Sequence, residues 1–264
     1  MSSPLFSLII VNYQSVQLLR RFLESWAEPL RAISHEIIVL NNDVREREML
    51  RELALAHPGL VVQELGENQG FARASNAGAK LARGTYLFFL NPDTEYVSGS
   101  LKELETVLTT YPRSLGGVRL VDSDGSNEVW SAGSFPSLWG LFRHNCFGPP
   151  QHPVWEAKHF SYTDWVSGAA LVLRRDLFEE LGGFDERFFL YFEDVDLARR
   201  ARSRGIVAWR SPCITIRHRG GGSHTGTTVQ KQTYHTSQRQ YFAKHRGQLE
   251  TSLLTLAQHL FLRR

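Results

Sequence analysis

The chain of 264 residues is short of cysteine, of long apolar runs and, in its last quarter, of acid, and each shortage excludes something. Cys146 and Cys213 permit at most one bridge and have no metal-knuckle spacing, which excludes a disulfide scaffold or zinc module and points to a reducing compartment. No segment approaches the roughly 20 continuous apolar residues of a membrane span. The apolar run Leu5–Val11 is interrupted by Ser7, closes at Asn12, and lacks a basic leader or small-residue cleavage site. It therefore reads as a strand, not a signal peptide. Neither a Gly-x-Gly-x-x-Gly turn nor a Gly-Lys-Ser/Thr loop occurs, which disfavours nicotinamide dehydrogenases and P-loop enzymes. From Leu197 onward 13 lysines and arginines face one acid, whereas the preceding residues hold 17 against 26, so the net charge of +3 hides a basic C-terminal quarter. No zinc-finger spacing or RNA-recognition signature accompanies those cations, and no nucleic-acid partner is expected.

What is present is a large apolar fraction, 42%, with 11% aromatics, enough for a sizeable core and incompatible with disorder as the main state. The first half alternates strand and helix signals. Apolar runs at Phe6–Val11, Ile37–Leu40, Leu60–Leu65 and Tyr86–Leu90 are separated by helical periodicity at Val16–Trp26, Arg45–His57 and Phe71–Arg83. This rhythm predicts a doubly wound, mostly parallel sheet with helices on both faces. Beyond Asn91 a helix is expected at Leu101–Tyr111, strands at Gly117–Val121 and Trp165–Leu173, and helices at Asp176–Leu181 and Glu193–Arg204. Two short strands, Ile206–Trp209 and Ile214–Arg217, then precede a glycine-rich loop and a helical tail beyond Val229. The aperiodic stretch Phe135–Phe160 reads as a long surface loop.

Ligands of such a sheet lie beyond the carboxyl ends of its strands, and the residues there are unusually polar. They are Asn12-Tyr13, Asn41-Asn42-Asp43, Glu67-Asn68-Gln69-Gly70 and Asn91-Pro92-Asp93-Thr94. Asp93 is either an Asx turn closing a strand or a carboxylate that shares a divalent cation with phosphate oxygens. Glu193, Asp194 and Asp196 open a helix, where they serve either as caps or, beside Phe188-Phe189-Leu190-Tyr191-Phe192, as a desolvated general base. His218 precedes Arg219-Gly220-Gly221-Gly222-Ser223-His224. An imidazole there suits a cation shell, and the loop's amides with Arg219 suit a diphosphate.

Five segments together resemble a known family: Ser7–Tyr13, Asn68–Asn76, Leu90–Thr94, Trp165–Ala169 and the block Gly182–Leu197. In order and spacing they are similar to family 2 inverting glycosyltransferases, in the branch of bacterial rhamnosyltransferase-like enzymes. The resemblance covers most of Phe6–Ser223. It implies a GT-A fold, a nucleoside-diphosphate sugar donor (a dTDP- or UDP-sugar), a Mg²⁺ or Mn²⁺ cofactor and a glycan or lipid-linked acceptor. It implies Asp194 as catalytic base with Glu193 in support, and Asp93 and His218 as metal ligands. Asn12, Asn41, Asn68, Arg73, Asn91, Asp93 and Arg219 fall on the donor side, and Trp165 and Gly168 near sugar and acceptor. The chain departs from relatives in reading Asn41-Asn42-Asp43 where Asp-Asn is usual, an amide in place of a carboxylate.

The expected organisation is a GT-A domain over residues 1–228, with a nucleotide-binding half to about 95 and an acceptor and catalytic half after it, then a basic helical tail over 229–264. Gln248–Arg264 aligns Leu249, Leu253, Leu256, Ala257 and Leu260 in one stripe, with Leu254 and Phe261 widening it and Arg263-Arg264 at its end. That stripe fits either an anionic membrane surface or packing on the catalytic domain or on a second subunit in a homodimer. A cytoplasmic protein, peripheral on the inner face of the cell membrane, is the corresponding expectation.

Overall fold

Alternation along the first strand decides the layering. In β1 (Phe6–Asn12), Phe6, Leu8 and Ile10 point to one face of the sheet and Ile9 and Val11 to the other, and all are buried. A strand covered on both faces needs a nearly continuous apolar run, which the sequence supplies apart from Ser7, whose buried hydroxyl donates to Glu36 Oε1 at 2.7 Å. The computed structural model describes residues 3–147, 152–220 and 227–261. After β1 come α1 (Val16–Leu30), β2 (His35–Asn41), α2 (Arg47–Ala56), β3 (Leu60–Glu64), α3 (Gly70–Leu81) and β4 (Tyr86–Leu90). Val16, Leu19, Phe22, Leu23 and Trp26 of α1 cover one face, and Ala72 and Ala74 of α3 lie in the core of the other.

The second half continues with β5 (Thr94–Gly99), α4 (Leu101–Thr110), β6 (Ser114–Val121), β7 (Ala132–Gly133), α5 (Leu138–Phe147), α6 (Pro153–Glu156), β8 (Ser161–Thr163), β9 (Trp165–Val166), β10 (Ala170–Arg174), α7 (Arg175–Glu180), α8 (Glu193–Arg202), β11 (Val207–His218), α9 (Thr227–His245) and α10 (Gln248–Phe261). Among the described residues a nine-stranded sheet runs β3-β2-β1-β4-β10-β6-β11-β5, with β8 pairing β11. Its first four strands are parallel. β10 then enters antiparallel to both β4 and β6, and β5 lies antiparallel to β11, so the second half is mixed. This is the architecture expected of a GT-A fold, a central sheet flanked by helices.

Three expectations are corrected. The run Trp165–Leu173 is not one strand. It breaks at Ser167–Ala169 because the backbone there bonds to Ser131, Asn91 and Asp194 instead of a ladder neighbour. Ile206–Trp209 and Ile214–Arg217 are not two strands but parts of the single β11, whose register against β6 shifts between Ser211 and Thr215, where Pro212 cannot donate to a ladder. The stretch Phe135–Phe160 contains α5 and α6, the latter begun by Pro153 with His152 as cap.

The C-terminal helices share the main core. Tyr241 and Phe242 of α9 and Leu254 of α10 are buried with residues of α8. Gly221, Gly222, Ser223 and His224, and Arg263-Arg264 at the end of the chain, lie outside the described residues, as do the side chains of Leu260 and Phe261.

Candidate active site

The amides that close the first strands are engaged with one another and with neighbouring turns. At the end of β1 the Asn12 amide Nδ2 donates to Glu46 Oε2 at 2.8 Å. Glu46 also accepts from the backbone N–H groups of Ser15 and Val16, capping the open N-terminus of α1. At the end of β2, Asn41 donates to both oxygens of Glu64 at 3.0 Å and accepts from Asp43 N–H at 3.1 Å. Asn42 donates to Asn68 Oδ1 at 2.9 Å and accepts from Gln69 N–H, and Asn68 Oδ1 accepts from Gly70 N–H. Gly70 sits at φ +80°, and a Cβ there would lie 2.3 Å from the Phe189 carbonyl, which accepts from Phe71 N–H at 2.7 Å. That close approach fastens the loop after β3 to the segment leading into α8. Arg73 pairs with Glu186 of the same segment at 3.1 Å while remaining half exposed.

The second cluster stands where β4 ends and β11 ends. Asp93 is buried, and its Oδ1 lies 3.3 Å from His218 Nε2. The other ring nitrogen, Nδ1, lies 2.8 Å from Glu128 Oε1. Asn91 Nδ2 is 3.3 Å from His218 Nε2 as well. Burial disfavours the imidazolium of His218, but hydrogen bonds and charge from Asp93 and then Glu128 outweigh it and push the pKa up to about 10. Arg219 donates its backbone N–H to the Asp93 carbonyl and pairs with Glu95 at 2.8 Å, so the start of the glycine-rich loop is tied to the same turn.

The third cluster opens α8. Tyr191 and Phe192 hold φ values of 70° and 68°, a conformation that favours glycine and that costs a bulky residue about 1–3 kcal/mol. It turns the chain sharply so that Glu193 and Asp194 form the first turn of the helix. Asp194 Oδ2 accepts from Gly168 N–H at 2.8 Å and Oδ1 from Val195 N–H at 2.7 Å. Burial raises its pKa despite these bonds. Glu193 is buried with Oε2 lacking a partner, and burial and the Asp194 charge push it well above the carboxylate range. Two residues beyond Asp194, Asp196 has the opposite fate. It is fully buried, yet His245, Lys244 and Arg200 overcome the burial and hold it below the usual value.

Backbone hydrogen bonds join the last two clusters. Gly168 N–H holds Asp194, the adjacent Ala169 carbonyl accepts from Asn91 N–H at 3.1 Å, and Asn91 contacts His218. Ser167 N–H donates to Ser131, three residues from Glu128. The structure thus brings Asp93, Asn91, His218, Gly168 and Asp194 together. It leaves Asn12, Asn41 and Asn68 in the adjoining network, and Trp165 buried with Nε1 on the Ser134 carbonyl. Sequence reasoning did not reach Glu128, and it quoted Asn42 among the polar residues after the strands without selecting it. Nothing around Glu128 announces it, since its contact with His218 depends on the turn between β6 and β7. Asn42 stood beside the selected Asn41, and position after a strand was signal enough to include both.

Residues 7–182 match glycosyl transferase family 2. The chain belongs to that family. Curated relatives in the family include the O-antigen biosynthesis protein RfbC of Myxococcus xanthus, 28% identical over 90% of this chain and 19% of that protein. The chain therefore spans about a fifth of RfbC. It is 29% identical, over 80% of its length and 74% of the relative, to the N-acetylglucosaminyl-diphospho-decaprenol L-rhamnosyltransferase of Mycobacterium tuberculosis. Rhamnosyltransferase WbbL of Escherichia coli is 24% identical over 80% of this chain and 82% of that protein. This glycosyl transferase family 2 chain shares the GT-A fold of GalNAc-T7 solved with UDP, GalNAc and Mn²⁺, at TM-score 0.66 and 14% identity over 89% of this chain and 47% of the other. Mannosyltransferase PcManGT of Pyrobaculum calidifontis, solved with GDP-Man and Mn²⁺, matches at TM-score 0.62 and 19% identity over 92% of this chain and 64% of the other.

Among the described residues no three ligating side chains gather into a metal site. A divalent ion nevertheless fits the pair Asp93 and His218. One carboxylate and one imidazole suffice when diphosphate oxygens and water complete the shell, and a ligating histidine characteristically gives its second nitrogen to a carboxylate, here Glu128.

Proposed function

We propose that this family 2 member is a metal-dependent inverting transferase that moves a sugar, rhamnose or a related hexose, from a nucleoside-diphosphate donor to a hydroxyl of a cell-surface glycan or lipid-linked oligosaccharide. The observation that carries the reading is Asp194. Its carboxylate is made more basic by burial, aimed by Gly168 N–H, and joined through Ala169 and Asn91 to the Asp93–His218 pair. A cation bound to Asp93 and His218 would neutralise charge on the departing diphosphate. Asp194 takes the acceptor hydroxyl proton while the oxygen forms its bond to the anomeric carbon from the face opposite the diphosphate. The bond from that carbon to the diphosphate oxygen breaks, the nucleoside diphosphate leaves with the electron pair, and the configuration inverts. One base suffices, without the second carboxylate that a covalent glycosyl intermediate demands.

Similarity to the mycobacterial and Escherichia coli rhamnosyltransferases supports a rhamnose donor. No helix of the described residues is long and apolar enough to cross a membrane. On α10, Leu249, Leu253 and Leu256 are exposed while Leu254 is buried, which supports peripheral contact with an anionic bilayer that holds a lipid-linked acceptor. Product analysis with dTDP-rhamnose and UDP-hexoses, Mn²⁺ or Mg²⁺ and a lipid-linked acceptor tests the function. The reading expects an inverted glycoside whose formation stops on chelation. Absence of transfer from every donor, with nucleotide sugar still binding, would make the chain a binding protein instead.

A further inference from the structure

We propose that Glu128 is a positioning residue for the cation site, holding His218 through Nδ1 so that Nε2 faces the side where Asp93 lies. The inference rests on the metal-dependent reading above. An imidazole has two nitrogens, and which one serves as a ligand is set by the hydrogen bond the other makes. Here Nδ1 meets Glu128 Oε1 at 2.8 Å, and Nε2 is turned to Asp93 Oδ1 at 3.3 Å. With Nδ1–H donated to Glu128, Nε2 is the nitrogen left on the side where the second ligand lies, and a bound cation would take the place of its proton. Asn91 Nδ2, at 3.3 Å from the same nitrogen, marks that side as the polar one.

The segment that carries Glu128 is fixed from several directions. Glu128 N–H donates to the Leu120 carbonyl at 3.0 Å, its own carbonyl accepts from Ser131 Oγ at 2.8 Å, and the neighbouring Asn127 accepts from Arg119 Nε at 2.9 Å. Trp130 is held at φ 69°, a conformation that a bulky residue keeps where surrounding contacts impose it. Ser131 accepts from Ser167 N–H at 2.9 Å, one residue before the Gly168 that aims Asp194. The backbone that sets the histidine is therefore bonded to the backbone that sets the base. Glu128 Oε2 is buried without a hydrogen-bond partner, a costly arrangement that packing alone does not call for.

Manganese binding tests this without relying on turnover. Titration of the full chain with MnCl₂ in the presence of UDP or dTDP, followed by electron paramagnetic resonance, gives the affinity, and spin-echo modulation reports nitrogen from a coordinated imidazole. Glu128→Ala should weaken Mn²⁺ binding about 10–100-fold and diminish the imidazole modulation. Glu128→Gln keeps an acceptor for Nδ1–H and loses the charge, so its loss should be several-fold and smaller than that of alanine. Should the alanine variant fail to fold, the glutamine variant decides alone. Wild-type affinity and modulation in a folded Glu128 variant overturn the proposal and leave the metal-dependent reading standing. Absence of Mn²⁺–imidazole modulation in the wild-type chain overturns both.

Discussion

The two halves of the rim above the sheet treat their polar side chains in opposite ways. At the ends of β1 and β2, Asn12, Asn41 and Asn42 are satisfied by Glu46, Glu64, Asn68 and backbone N–H groups, a network that holds turns in place. At the starts of α8 and β5 and in the turn between β6 and β7, acids have incomplete satisfaction: Glu193 and Glu128 each keep a buried, unpartnered oxygen, and Asp93 faces a histidine flanked by a second carboxylate. The two aspartates of one helix differ as well: Asp196 is held by the side chains of Arg200, Lys244 and His245, whereas Asp194 has backbone N–H donors alone. The difference teaches that polar groups bonded to one another build the frame, whereas the groups proposed to handle protons and cations are acids buried without a cationic side chain or set against a histidine.

Replacing members of the two sets sharpens this contrast. Asp194→Asn should lower kcat about 10²–10⁴-fold at saturating donor and metal, with the melting curve little changed. Near wild-type transfer would remove the assignment. Asp196→Ala strands Arg200, Lys244 and His245 around an empty position and should cost about 3–5 kcal/mol in urea unfolding, because breaking a buried ion pair leaves unpaired charge. At temperatures where that variant stays folded, its kcat should remain near that of the wild type.

Acidification separates the same two aspartates with opposite signs. Asp196 is lowered in the fold from 3.8, so its contribution to stability is present above that value and is lost as pH falls below it toward the folded pKa. Asp194 is raised in the fold, so kcat/KM should fall about tenfold per pH unit as pH drops through a midpoint above 3.8, before the fold gives way. Parallel unfolding and rate profiles check this; coincident midpoints would contradict it. The smallest effect belongs to the amide rim. Asn41→Ala should cost about 1–2 kcal/mol through the lost bonds to Asp43 N–H and Glu64, measured by urea unfolding.

The parallel half of the fold was legible because strands buried on both faces are apolar along nearly their whole length, as Phe6–Val11 and Tyr86–Leu90 are apart from Ser7. The second half was less so. Trp165–Leu173 has the composition of a strand, but Ser167–Ala169 spend their backbone groups on distant partners that periodicity cannot report. Asp93, Asp194 and His218 were singled out by their order along the chain and the family resemblance, and the fold sets Asp93 beside His218. The pairing of His218 with Glu128 joins residues 90 positions apart through a turn without a local pattern, and the saturation of Asn41 by Glu64 depends on the register of β2 against β3.

Soaking crystals of the full chain with Mn²⁺ and a nucleoside diphosphate puts the central arrangement to its most direct test. The predicted result is a cation on Asp93 and His218, diphosphate oxygens completing its shell, and a sugar-sized space bounded by Asp194 on the far side. A diphosphate bound elsewhere, or an Asp194 carboxylate facing a cavity separate from the cation, would contradict the account.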